Sequence, residues 1–152
     1  MVLLDDTGGG YAGAVNPLHV TYGEGWIFPE VTLTETPCRL FAFSPFAAIP
    51  GKELPLSLVP QTDYLASGEI RLDWQNRSAD IGMEHLLCLL EFTIEGSSAC
   101  TLSVEDVPTG GTYDLAGGKL SAGEKGTVPS EGNTLLLLPG KAGHNRVVIR
   151  FQ

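Results

Sequence analysis

The longest apolar run in the chain, "HLLCLLEFTIE" at residues 85–95, constrains the fold more than any other stretch. Met83, Leu86, Leu87 and Leu90 stand at helical spacing, but that pattern stops after Leu90. Alternation, in contrast, runs through the whole segment. Leu86, Cys88, Leu90, Phe92 and Ile94 fall on one face, and Leu87, Leu89, Glu91, Thr93 and Glu95 on the other. The second half is rich in β-branched and aromatic residues and ends at "GSS", so the spacing predicts a strand whose first face is buried. A chain whose most apolar segment is a strand must cover that face with another layer, which points to sheet packed on sheet.

The rest of the sequence has the same rhythm. Short segments such as "LHVTY", "EVTLTE", "CRLFAFSPF", "LPLSLVP", "EIRLDWQN", "ACTLSVEDV", "NTLLLLP" and "RVVIRFQ" alternate or run apolar between turn signals. Leu54, Leu56 and Leu58 share one face, and Ile70, Leu72 and Trp74 share another. The 19 Gly and 10 Pro among 152 residues supply the punctuation that many short strands need. About eight to ten strands are expected, in an all-β, antiparallel β-sandwich. The stretch from Thr109 to Gly132 reads as a glycine-rich excursion, and residues 1–17 as a flexible lead in which Val2 to Leu4 could pair. Residues 18–152 are expected to form a single sandwich domain.

Charge excludes some functions. Nine Lys and Arg against eighteen Asp and Glu give a net charge of -9, spread without a basic stripe. Nucleic acid and anionic membrane surfaces are therefore poor partners. No apolar stretch approaches the roughly 18 residues that span a bilayer as a helix. "MVLLDDTGGG" has no basic region of the kind that opens a signal peptide, so either a cytosolic protein or a removed export signal is compatible with it. Of three cysteines, Cys88 and Cys100 lie in phase with apolar neighbours and read as buried thiols, and a disulfide between them is open. Cys38 reads as a thiol outside any disulfide.

Motifs for chemistry are weak. "GGGYAG" at residues 8–13 matches G-x-G-x-x-G, but Asn16 and Pro17 arrive before a helix could present its amides to a phosphate. His19, His85 and His144 lack ligand spacing for zinc. No nucleophile elbow or phosphate loop is present, so neither an enzyme nor a cofactor is expected. Asp5 with Asp6, or Glu105 with Asp106, offer oxygen ligands for calcium, though solvated carboxylates are the commoner explanation. Trp26, Tyr64, Trp74 and Tyr113 could line a sugar platform but are expected in or beside the core.

The order of these elements resembles a known family. "RLFAFSPF", "VPQTDYLAS", "MEHLLCLLEFTIE", "VPTGGTYDLAGG" and "NTLLLLPG" follow one another as in the N-terminal domain of fimbrillin-like, or Mfa-like, proteins of Bacteroidetes type V pili. The corresponding positions are Phe41 to Phe46, Gln61 with Asp63, Tyr64 and Leu65, His85 through Ile94, and Leu135 through Pro139. The resemblance implies a transthyretin-like sandwich, export to the cell surface or outer membrane, and assembly with other pilin subunits by strand addition. A host or bacterial surface glycan or protein is the further kind of partner it implies. Gln61, Asp63, Tyr64 and His85 become a candidate structural motif, with Asp63 expected to bond nearby backbone amides and Tyr64 to anchor the connection. The terminal "RVVIRFQ", with Val147, Ile149 and Phe151 alternating, becomes a candidate exchange strand, and the N-terminal "MVLLDD" a second. Self-completion has the higher effective concentration, so a monomer is expected in dilute solution. The reading from a different class is a noncatalytic surface module that binds glycan through exposed aromatics.

Overall fold

The structure is a computed structural model that describes residues 2–5, 11, 17–49, 51–95, 100–140 and 146–151, with the side chains of residues 2–5 and 151 left aside. Most of "GGGYAG", Asp6, His144 and the "GSS" turn lie outside the described residues, as does the side chain of Asp5. Among the described residues the fold is all-β, with antiparallel strands and no helix. Among the described residues there are fifteen strands where eight to ten were expected; four contain only two residues, and others lie in the stretch from Thr109 to Gly132. The strands divide between two compact units: residues 1–54, 64–84 and 113–119 form the first, and 55–63, 85–112 and 120–152 the second.

The first unit is organised on one doubly buried strand. β1 (Val2–Asp5) pairs with β4 (Cys38–Ser44) in the register Val2↔Ala42 to Asp5↔Arg39. β6 (Leu65–Ala66) and β7 (Ile70–Leu72) also pair with β4, through Phe43↔Ala66 and Leu40↔Ile70. Cys38, Leu40 and Ala42 are buried on one face of β4 in a cluster with Tyr11, against which Val20, Leu33 and Ile81 pack. Phe41 and Phe43 are fully buried on the other face. Both faces of "CRLFAFS" are thus removed from water, which explains why it reads as a nearly continuous apolar run.

Two polar devices finish this unit. Arg39 and Arg71 stand opposite each other across β4 and β7, a repulsive pairing. Glu69 lies 2.8 Å from Arg71 and 3.4 Å from Arg39 and neutralises them. The hydrogen bond from Arg71, aided by the charge of both arginines, holds the Glu69 carboxyl below its ordinary value. The "EVTLTE" segment is not a strand. Its backbone is used otherwise: the Thr34 N–H donates to the Tyr11 hydroxyl at 2.9 Å, and the Thr34 carbonyl accepts from the Trp74 N–H. β2 (Thr21–Tyr22) and β3 (Trp26–Ile27) form a small hairpin around "GEG".

β5 (Glu53–Ser57) carries Leu54 and Leu56, which with Leu58 are buried on the face that alternation predicts. β8 (Glu84–His85) leads to β9 (Cys88–Glu91). In the second unit β10 (Cys100–Pro108) is central, between β13 (Lys125–Pro129) and β15 (Arg146–Phe151). Leu102, Val104 and Val107 are buried, and the phase change between Val104 and Val107 is absorbed by a bulge at Asp106, whose φ is 63°. β14 (Thr134–Leu137) pairs with β9.

The stretch from Thr109 to Gly132 contains β11 (Gly110–Asp114), β12 (Lys119–Ala122) and β13, a correction to its reading as an excursion. Two of its glycines, Gly110 and Gly111, serve close backbone approach. A Cβ on Gly110 would meet the Leu56 carbonyl oxygen, and one on Gly111 the Ser121 carbonyl oxygen. Strands that need glycine for contact show little apolar alternation.

Candidate functional site: an open strand edge, a motif loop and an aromatic cavity

β9 and β14 pair in the register Thr134↔Glu91, Leu135↔Leu90, Leu136↔Leu89 and Leu137↔Cys88. The Phe92 N–H donates to the Asn133 carbonyl, so Asn133, Leu135 and Leu137 turn their backbone groups toward β9. Thr134 and Leu136 then point to the outer edge of β14, and both are occupied. Thr134 exchanges two backbone hydrogen bonds with Glu131. Leu136 donates its N–H to Gln61 Oε1 at 2.6 Å, and its carbonyl accepts from Gln61 Nε2 at 3.3 Å. The Gln61 amide therefore imitates a one-residue strand.

The outer edge of β9 differs. By the same alternation the backbone groups of Leu89 and Glu91 face away from β14, and among the described residues β9 pairs with β14 alone. Leu87 is buried, but Leu89 is 64% exposed and Leu90 40% exposed, and Cys88 is exposed too. The expectation that Leu86, Cys88, Leu90, Phe92 and Ile94 form a buried face is thus corrected. Phe92, Ile94 and Leu86 are half-buried and Cys88 and Leu90 are exposed, whereas Leu135, opposite Leu90 on β14, is fully buried, so cover falls on the β14 side of the ribbon. Cys88 and Cys100 are both thiols, since β9 lies beside β14 while β10 lies beside β13 and β15. Cys100 is half-buried and Cys38 carries a buried thiol.

The motif loop is held by a different residue from the one expected. Gln61 adopts a φ of 50° and its Nε2 donates to the Leu58 carbonyl at 2.6 Å, besides its bonds to Leu136. Asp63, expected to bond backbone amides, instead places Oδ2 2.8 Å from His85 Nδ1. Its other oxygen, Oδ1, is buried without a hydrogen-bond partner among the described residues. Tyr64 is buried. The structure thus brings Gln61, Asp63 and His85 to one region of the second unit, with the loop's backbone bonds supplied by the amide of Gln61.

The candidate exchange strand β15 pairs with β10 along its length, from Cys100↔Phe151 to Glu105↔Arg146. Val147 and Ile149 are 47% and 45% exposed, and the side chain of Phe151 lies outside the described residues. Arg146 lies 3.5 Å from Glu105, and Lys125 3.4 Å from Asp106, so these two carboxylates have cationic neighbours.

Two cavities of the first unit bear on the site. One, of about 360 Å³, is lined chiefly by aliphatic side chains including Leu18, Val31 and Leu33. The other, of about 430 Å³, is lined by His19, Trp26, Phe28, Phe46 and Asp80 among others. Trp26 and Trp74, expected in or beside the core, are 68% and 44% exposed. Trp26 sits on a two-residue strand at the tip of a hairpin, which offers nothing to bury it. Tyr22 packs edge-on to Trp26 at 5.1 Å, and His19 lies 4.3 Å from Phe46 between ring centroids. The clustering of these aromatics joins residues 19–28 to residue 46 and residues 79–83, a long-range meeting with no local signature.

No protein-family model matches the sequence, and no curated protein matches it significantly. Among solved structures, the chain is similar to a crystal structure described as a "putative cell adhesion protein" from Bacteroides uniformis ATCC 8492. The TM-score is 0.66 at 16% sequence identity, over 99% of this chain and 70% of that one. A likeness of this extent at this identity establishes a shared fold: the chain has the all-β fold of that structure.

Proposed function

We propose that the chain is a structural and adhesive cell-surface protein of the fimbrillin-like pilus class, without catalytic activity, which assembles by strand addition. One observation carries this reading: among the described residues β9 is a leucine-rich strand with one edge paired and the other unpaired, while the facing strand β14 has its outer edge closed by Gln61 and Glu131. An open apolar edge offers backbone donors and acceptors for an incoming strand, and its exposed side chains set the register. The likeness to a cell-adhesion protein agrees with a surface role. The incoming segment that fits best is residues 146–152 of another copy. Its alternating Val147, Ile149 and Phe151 suit an apolar ribbon, and Arg146 and Arg150 complement Glu91 and Glu95 on the acceptor. In an isolated subunit that segment is paired with β10, so donation requires its displacement.

Cys88 provides a native reporter, because its exposed thiol stands on the acceptor strand. The test adds a peptide of residues 146–152 to the intact chain and to a chain lacking those residues, and follows alkylation of Cys88 by mass spectrometry. Strand addition should slow alkylation in both, and the shortened chain, which lacks a donor of its own, should take up the peptide and stay monomeric. Cys88 labelling that the peptide leaves unchanged in both chains, with both still folded, would remove this mechanism.

A further inference from the structure

The 430 Å³ cavity of the first unit belongs to neither strand edge. It lies among the β2–β3 hairpin, the end of β4 and residues 79–83. Its rim is aromatic and wet: Trp26 is 68% exposed, and Phe28 and Phe46 are each 53% exposed. Exposed rings gathered around a concavity mark a binding surface rather than scattered surface residues. The same lining contains Asp80, exposed and with no hydrogen-bond or ion-pair partner among the described residues, together with Ser44 and His19.

We propose that this cavity binds a neutral pyranose, which packs its C–H face on Trp26 and Phe46 and donates hydroxyl hydrogen bonds to Asp80. The chemistry of the lining selects this class. A pyranose is amphiphilic, with an apolar ring face and polar hydroxyls around its edge, and it matches aromatic walls that carry a carboxylate acceptor. A wholly apolar ligand would desolvate Asp80 without replacing its hydrogen bonds to water. An anionic sugar would meet both that carboxylate and a net charge of -9. The cavity volume falls in the range of small-molecule sites, toward its smaller end, which suits one or two sugar rings.

The test uses the full chain with Trp74→Phe, so that Trp26 is the sole tryptophan reporter. Methyl α-mannopyranoside, methyl β-galactopyranoside and N-acetylglucosamine are titrated, with N-acetylneuraminic acid as the anionic control. At least one neutral sugar should give a saturable fluorescence change with a midpoint of about 1 to 10 mM, and the anionic control should give none. Asp80→Ala and Phe46→Ala should each weaken that midpoint about tenfold or more while the urea transition is kept. The Trp26 indole N–H resonance of the unsubstituted chain provides a second readout should Trp74→Phe alter folding. The proposal is overturned by the absence of a saturable response to all three neutral sugars up to ~100 mM. A response that survives both alanine variants, or one as strong for the anionic control, overturns it equally.

Discussion

Gln61→Ala removes the side chain that closes the outer edge of β14. Two short hydrogen bonds are lost, from Gln61 Nε2 to the Leu58 carbonyl and from the Leu136 N–H to Gln61 Oε1, both at 2.6 Å. A third, to the Leu136 carbonyl at 3.3 Å, is weak. At about 1 kcal/mol net for each short bond, plus about 1 to 2 kcal/mol for a Leu136 N–H left partly buried and unpaired, the loss is about 3 to 4 kcal/mol. The backbone provides an internal control. Gln61 has a φ of 50°, a left-handed conformation that costs any residue with a Cβ about 1 kcal/mol relative to glycine. Gln61→Gly removes the same hydrogen bonds but relieves that cost, so it should be less destabilising than Gln61→Ala by about 1 kcal/mol. Both are read from urea transitions at constant m-value. A loss below about 1 kcal/mol for alanine, or a glycine variant less stable than the alanine variant, would show that the amide does not act as a strand substitute.

Burial separates two core substitutions: Phe43→Ala, at a fully buried position, should cost about 3 to 5 kcal/mol by chemical denaturation. Phe92→Ala, at a half-buried position, should cost about 1 to 3 kcal/mol, and an inverted order would contradict the assigned burial. The turn at Asp73 should be sensitive to acid. The backbone N–H of Asn76, then the Asn76 side chain and the Gln75 N–H, hold its carboxyl below the ordinary value of 3.8. A depressed carboxyl stabilises the fold above the unfolded value and loses that contribution as pH falls through the folded value. The Gln75 and Asn76 amide resonances should accordingly shift only below about pH 4, and Asp73→Asn should abolish the shift.

Much of the fold was legible because its strongest signals are local. The face of Leu54, Leu56 and Leu58 follows from a period of two, and the apolar "CRLFAFS" from burial on both sides. The failures have physical causes. Alternation in "HLLCLLEFTIE" reports that a strand can bury a face, not which positions its surroundings cover, so Cys88 and Leu90 are exposed despite a correct strand assignment while Leu135, opposite Leu90, is buried. The strands between Thr109 and Gly132 were missed because glycines such as Gly110 and Gly111 serve backbone contact within a strand, while others, such as Gly118, serve turns. "EVTLTE" has strand composition, yet the Thr34 N–H is taken by the Tyr11 hydroxyl and the Thr34 carbonyl by the Trp74 N–H, a competition that no pattern within six residues can reveal. The bond from Gln61 to Leu136 spans 75 positions and was equally invisible, although the residue itself stood in the motif.

The contrast between the two edges of the β9–β14 ribbon leads to the last prediction. Natural sheets protect edges with charges, short strands or local plugs, and β14 has plugs at both outward-facing residues. The adjacent edge of β9 has Leu89 where a lysine would serve protection better. If this edge accepts strands, Leu89→Lys should separate stability from assembly. Leu89 is 64% exposed, so the subunit should change by no more than about 0.5 kcal/mol in a urea transition. Lysine at that position would put a solvated ammonium on a face that an incoming apolar strand must dry, and would set a positive charge against Arg146 or Arg150 of the donor. Protection of Cys88 by the 146–152 peptide should then fall about tenfold or more in apparent affinity. A lysine variant that protects Cys88 as well as the unsubstituted chain would move the acceptor away from β9 and leave the β10 edge, uncovered when residues 146–152 are withdrawn, as the place where strands are exchanged.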